Sequence, residues 1–153
     1  MLATGSDAVL PMHTPGYDAN GVFVYRTISD LERLMEFAST HKDTVGVTVG
    51  GGLLGLEAAN AMTNLRSFKT VKLIDRNKWV LARQLDADAG ALVTEKIRGL
   101  GLDVMLRRRV AAIKTDESNK VTGILFEDGE SIDCSCICFA VRWRVICQLC
   151  ALY

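Results

Sequence analysis

Three features of the sequence predict an α/β fold of three layers, a parallel sheet with helices and an attached antiparallel β-meander. First, the apolar, β-branched run Val45-Gly46-Val47-Thr48-Val49 leads directly into Gly50-Gly51-Gly52-Leu53-Leu54-Gly55-Leu56-Glu57, after which the spacing is helical. Second, another apolar strand, Thr70-Val71-Lys72-Leu73-Ile74-Asp75, follows and completes a β–α–β unit of about thirty residues. Third, from about residue 110 the apolar period changes to two, with turn residues between the runs. A β–α–β unit in one sheet implies a right-handed crossover.

Size and composition narrow the possibilities further. A chain of 153 residues has room for one domain with a real core, and 49% hydrophobic with 24% charged residues is the balance of a globular protein. Eighteen basic residues offset eighteen acidic ones, which argues against a nucleic-acid or anionic-membrane partner. No apolar run reaches the roughly 18 residues of a membrane span. The start, Met1-Leu2-Ala3-Thr4-Gly5-Ser6-Asp7, lacks the basic region of a secretory signal. Five cysteines are an odd number, and a chain able to build a core does not need disulfides, so a reducing, cytoplasmic setting is expected.

In chain order, residues 1–25 hold both prolines, Pro11 and Pro15, and short apolar pieces, which read as loops and short strands. A helix follows, with Ser29 and Glu32 spaced as a capping box and Leu31, Leu34, Met35 and Ala38 forming its apolar face. The polar patch at 40–43 marks the entry to the β–α–β unit: strand 44–49, helix 53–65 and strand 70–75. Ala58, Ala59 and Ala61 suit close docking on a sheet, with Leu54, Met62 and Leu65 filling the seam. Residues 76–85 read as a connecting loop. The next helix starts near Asp86, with Ala89, Leu92, Val93, Ile97 and Leu100 at helical spacing and Gly99 or Gly101 at its stop. Gly90 weakens that helix by about 1 kcal/mol relative to Ala. A strand at 102–106 and the meander at 110–114, 121–127 and 131–133 follow, with Asp128-Gly129 as the last hairpin turn. The apolar run 134–141 returns as a buried strand.

The glycine run is the strongest chemical signal. Gly50, Gly52 and Gly55 make Gly-x-Gly-x-x-Gly between a strand and a helix, the Rossmann-like arrangement that receives a dinucleotide. Gly50 allows the tight turn, Gly52 lets backbone approach a pyrophosphate, and Gly55 lets helix and strand pack closely. The helix N-terminus offers free N–H groups and a positive dipole end to the phosphates. Asp75 ends the second strand about twenty positions beyond Gly55, where a carboxylate accepts from the ribose hydroxyls of NAD. Arg76 beside it suits the extra phosphate of NADP, so NADH and NADPH both stay open. Glu57, placed in the first turn of the helix, is either a dipole-stabilised structural carboxylate or a contact for the nicotinamide end. Cys134, Cys136 and Cys138 alternate along one strand face and read as buried, inert thiols rather than a converging metal site. Cys147-Gln148-Leu149-Cys150 has no second pair or histidine to complete a zinc site. His13 and His41 stand in loops and read as surface residues.

Together these residues resemble the pyridine nucleotide-disulfide oxidoreductase family of two-dinucleotide flavoproteins. Gly50-Gly51-Gly52-Leu53-Leu54-Gly55-Leu56-Glu57 is similar to its NAD(P)H fingerprint, and Ala3-Thr4-Gly5 to the short motif where the chain leaves the FAD domain. Arg26-Thr27 with Asp30 is similar to the segment that follows. Ile74-Asp75-Arg76 and Ala82-Arg83-Gln84-Leu85-Asp86 most resemble the NAD(P)H nitrite reductase large subunits of nitrate assimilation, the fungal type in particular. The resemblance implies that NAD(P)H docks here and passes a hydride to FAD, from which electrons move on to reduce nitrite.

It also implies an organisation: residues 1–40 as an FAD-domain remnant with its connecting helix, 41–141 as the NAD(P)-binding domain, and 142–153 as an atypical tail. The family's FAD fingerprint should precede Met1, and the Gly-Asp motif that closes the FAD site is not found. The tail departs from the family's pattern after Phe139-Ala140, which a frameshift or a retained intron would explain. On this reading the chain is a fragment that binds NADH or NADPH, holds FAD poorly and turns nothing over alone. Its partners are the missing flavin domain or a second copy. A non-enzymatic chain that at most binds nucleotide or a partner is the alternative. A Rossmann domain for a methyl donor is disfavoured by Asp75 and the Leu-Glu that trails the motif.

Overall fold

The direction in which the chain crosses its sheet explains the layers. The computed structural model describes residues 6–8, 10–140 and 143–145. Strands β2 (Val22–Val24), β3 (Thr44–Val49), β4 (Phe68–Asp75) and β5 (Asp103–Leu106) succeed one another across a parallel sheet, and β9 (Cys136–Phe139) inserts between β2 and β3. Helices α1 (Ile28–Thr40), α2 (Leu53–Asn64) and α3 (Ala87–Gly99) make the crossovers. Crossovers of one hand that advance in one direction leave their helices on one face. The return from β5 to β9 runs the other way, and its connection is the antiparallel meander β6 (Val110–Thr115), β7 (Val121–Phe126) and β8 (Ser131–Asp133).

Two hydrophobic clusters match these two faces. Leu34, Ala38, Ala58, Ala59 and Met62 of α1 and α2 pack with Val71, Leu73, Val104, Cys136 and Cys138 of the sheet, with Val93 and Ile97 of α3 at the margin. Val47, Ile74, Ile137 and Phe139 pack instead with Ile113, Val121, Ile124 and Phe126 of the meander. The parallel strands are therefore apolar on both sides, as a sheet covered on both faces requires. Small residues set the spacing: a Cβ on Gly46 would stand 2.6 Å from the Met62 Cε and 3.1 Å from the Phe68 ring. No described helix is long and apolar enough to cross a membrane.

Several local expectations are corrected. The capping box of α1 is formed by Thr27 and Asp30, not Ser29 and Glu32. The Thr27 N–H donates to Asp30 Oδ2 at 2.9 Å and the Asp30 N–H to Thr27 Oγ1 at 3.2 Å, one turn earlier than the Ser-x-x-Glu pattern suggests. Met35 is exposed, and Phe37 takes its place on the buried side by meeting Phe23 edge-on at 5.2 Å. On α3 the inward face carries Gly90 and Thr94, while Leu92 and Leu100 are exposed. The cause is Trp79, whose indole occupies the space that a side chain at position 90 would need. Cys134 does not share a face with Cys136 and Cys138. Its N–H bonds to the Thr122 carbonyl and it packs with the meander, so the chain turns between it and β9. Trp143–Val145, within the 142–153 tail, forms β10 and pairs antiparallel with β1 (Ser6–Ala8). Ala3, Thr4, Gly5, Cys147 and Cys150 lie outside the described residues.

Candidate functional site

The chain leaves β3 toward β4 on one side, while β9 flanks β3 on the other. That reversal makes the carboxyl ends of β3 and β9 a topological switch point, where open α/β sheets form a ligand crevice. The glycine run lies there, between β3 and α2. Gly50 has φ +123°, a backbone shape that L side chains rarely adopt, and its N–H donates to the Ile74 carbonyl at 2.8 Å. Gly51 is buried. Its N–H donates to Asp75 Oδ2, and its carbonyl accepts from the Leu81 N–H at 2.7 Å. A Cβ on Gly51 would lie 2.6 Å from that same carboxylate oxygen, and one on Gly55 only 1.7 Å from the Gly50 carbonyl oxygen.

Gly52 is different. It is the N-cap of α2 with φ −80°, and a Cβ there would meet no atom within 4 Å. No side chain caps this helix and no acidic residue stands in its first turn, so its leading N–H groups are unpaired by any cap. Leu53 follows and is exposed, whereas Leu54 is half-buried. Glu57 is exposed and is the fifth helical residue, so it sits in the second turn rather than the first. Dipole stabilisation fades within one turn, which removes the structural reason offered for a carboxylate there.

Asp75 is the last residue of β4 and is buried, at 8% exposure. One carboxylate oxygen accepts from Gly51 and the other from the Asn77 N–H at 2.6 Å, while its backbone carbonyl accepts from the Arg108 N–H at 3.0 Å. The fold thus brings Asp75 against the glycine run, as the spacing predicts. Arg76 is next to it and exposed. The loop 76–85 does more than connect: Leu81, in a left-handed conformation at φ +56°, is the residue whose N–H holds Gly51. Nothing in its residue type signals this, because a leucine with positive φ cannot be read from sequence.

The cysteines offer no competing chemistry. Burial pushes the Cys134 and Cys138 thiols up to about 12 and raises Cys136 as well. The thiolate needed for metal binding or nucleophilic attack is therefore disfavoured. No cluster of His, Cys, Asp and Glu suited to a metal exists among the described residues.

Comparison with known proteins decides the family. The profile of the family described as Pyridine nucleotide-disulphide oxidoreductase matches residues 1–148. This chain belongs to that family. It is 74% identical over 144 residues to the nitrite reductase [NAD(P)H] of Emericella nidulans, a match covering 94% of this chain and 13% of that protein. It is 54% identical over 151 residues to the nitrite reductase [NAD(P)H] of Neurospora crassa, covering 92% of this chain and again 13% of the relative. The chain therefore spans about an eighth of the length of these fungal relatives. Among solved structures, it superposes on a chain of the covalent putidaredoxin reductase–putidaredoxin complex with a TM-score of 0.84. The identity there is 26%, and the match covers 97% of this chain and 36% of the other. The Rossmann-like architecture predicted from sequence is thus that of other pyridine nucleotide-linked reductases.

Proposed function

We propose that this chain is the NAD(P)H-binding module of an FAD-dependent oxidoreductase of the nitrite reductase type. Residues 41–141 hold the coenzyme, and the connecting helix of 1–40 packs against them through Leu34 and Ala38. When bound, NAD(P)H supplies a hydride for FAD held by a flavin domain of the longer protein. The residues of this chain bind and orient the coenzyme. The backbone at Gly52 lies against the pyrophosphate, the leading N–H groups of α2 donate to its oxygens, and the remaining lone pairs of Asp75 accept from a ribose hydroxyl. Glu57, Leu53 and Leu54 stand on the nicotinamide side of the same helix end. A cytoplasmic setting accompanies this reading, and the buried, unpaired state of Cys134, Cys136 and Cys138 supports it.

Gly52 is the observation that carries the proposal. Gly50, Gly51 and Gly55 are explained by a positive φ or by neighbours that a Cβ would strike, but nothing within the chain requires glycine at 52. A closely approaching ligand does. Calorimetric titration with NADH and NADPH tests this on the wild type and on Gly52→Ala. An alanine N-cap costs the fold at most about 1 kcal/mol, so the variant folds, and its affinity for both coenzymes should fall at least tenfold. A folded wild-type sample that binds neither coenzyme, or a Gly52→Ala variant that binds as the wild type does, overturns the proposal.

A further inference from the structure

The exits of β4 and β5 carry two cations that nothing within the chain neutralises. The strands are parallel and in register up to the pair Asp75↔Leu106, so Arg76 and Arg107 are the next positions on neighbouring strands, which lie about 4.8 Å apart in a sheet. Two backbone hydrogen bonds hold the exits together: the Arg107 N–H donates to the Asn77 carbonyl at 2.9 Å and the Arg108 N–H to the Asp75 carbonyl at 3.0 Å. Both Arg76 and Arg107 are exposed, and neither forms an ion pair with a described residue. Their neighbour Arg108 is engaged quite differently. It pairs with Asp128 and Glu130 and lies over the Phe126 ring. Like charges placed side by side on adjacent strands disfavour the fold unless an anion comes between them. Arg107 also adopts φ +58°, a left-handed conformation uncommon for a residue with a side chain. Unfavourable charge and unfavourable backbone therefore coincide at one residue, beside the carboxylate assigned to the ribose.

We propose that Arg107 is a specificity-determining residue that, with Arg76, binds a phosphomonoester on the adenosine ribose and so lets this site accept the 2′-phosphorylated coenzyme. The inference rests on the coenzyme reading above and names the chemistry that reading leaves open. A 2′-phosphate carries a charge of about −1.5 to −2 at neutral pH and offers three acceptor oxygens, enough for two guanidinium groups. Both oxygens of Asp75 already accept backbone N–H groups, which offsets part of its negative charge and lessens its repulsion of that phosphate.

The test uses the whole chain and four probes, adenosine 2′,5′-bisphosphate, 5′-AMP, NADPH and NADH, in calorimetric titrations of the wild type, Arg107→Ala and Arg107→Gly. The glycine variant accepts positive φ without strain and guards against misfolding. Both variants should bind adenosine 2′,5′-bisphosphate and NADPH about tenfold more weakly, with 5′-AMP and NADH within twofold of wild type. The loss should shrink as salt rises. Equal weakening of all four probes would reduce Arg107 to general attraction, and no change would remove it from the site, so either result overturns the inference alone. If the folded wild type binds neither NADH nor 5′-AMP, the coenzyme reading fails and this inference falls with it.

Discussion

Replacing Gly90 by alanine sets two physical effects against each other, and the structure decides the sign. Gly90 lies inside α3, where glycine is about 1 kcal/mol worse than alanine. Propensity alone therefore predicts that Gly90→Ala stabilises the protein by about 1 kcal/mol. A Cβ at this position would stand 2.0 Å from Trp79 Cδ1, 2.4 Å from Cγ and 2.7 Å from Nε1. These are impossible separations, so the indole must move. Trp79 is partly buried, and its Nε1–H donates to the Leu85 carbonyl at 3.2 Å, a bond worth about 1 kcal/mol that displacement would break. Overpacking itself costs about 1–3 kcal/mol. After the propensity gain is subtracted, Gly90→Ala should destabilise by about 1–3 kcal/mol, read as a lower urea midpoint by circular dichroism. Gly99→Ala is the internal control. It lies at the end of the same helix with nothing within 4 Å of its Cβ, and should be neutral or up to about 1 kcal/mol stabilising. In a double-mutant cycle, Trp79→Ala should remove most of the Gly90→Ala penalty. A Gly90→Ala variant as stable as the wild type would refute the claim that the indole dictates glycine here.

Two further outcomes follow from other parts of the fold. Thr27→Ala should lower stability by about 1 kcal/mol through loss of the α1 cap, while Ser29→Ala should be nearly silent; equal effects in urea denaturation would reject the observed capping box. Because burial pushes Cys134 and Cys138 up to about 12 from an ordinary 9.0, their thiolate fraction near pH 8 is about a thousandfold reduced, and native protein should leave both unmodified by iodoacetamide until denaturant is added. The same shifts set a pH dependence: the stabilisation is complete below pH 9, where folded and unfolded thiols are both protonated, and is lost as pH rises through 9 to 12 at about 1.4 kcal/mol per unit per thiol. An unfolding midpoint that stays flat between pH 9 and 11 would contradict it.

Where one physical effect controlled a segment, sequence was a sufficient guide. The β-branched run at 44–49, the alanine-rich helix after it and the Asp128-Gly129 hairpin are local in cause, and their elements lie where the patterns put them. The faces of α1 and α3 were harder to read because a distant residue selects among several apolar positions. Phe23 favours Phe37 over Met35, and Trp79 favours Gly90 and Thr94 over Leu92. A helical wheel contains neither partner. The turn between Cys134 and Cys136 was equally hidden, since alternation assumes a strand that continues, whereas Cys134 is bonded to the meander.

The glycine motif shows most clearly what geometry adds. In sequence, Gly50, Gly51, Gly52 and Gly55 form one pattern with one explanation. In the structure they separate by cause. Gly50 turns the chain at positive φ, Gly51 makes room for the Asp75 carboxylate, and Gly55 lets α2 pack on the Gly50 carbonyl. These three would be retained by a domain that had lost all ligand binding, because each keeps the fold from clashing with itself. Only Gly52 has no such duty. Arg76 and Arg107 follow the same logic with charge in place of volume: each is tolerable to the fold but unsupported by it, and both become favourable when an anion sits between them. Residues the fold itself does not require are therefore where function is most sharply tested, and in this chain they gather along the carboxyl edge of β3, β4 and β5.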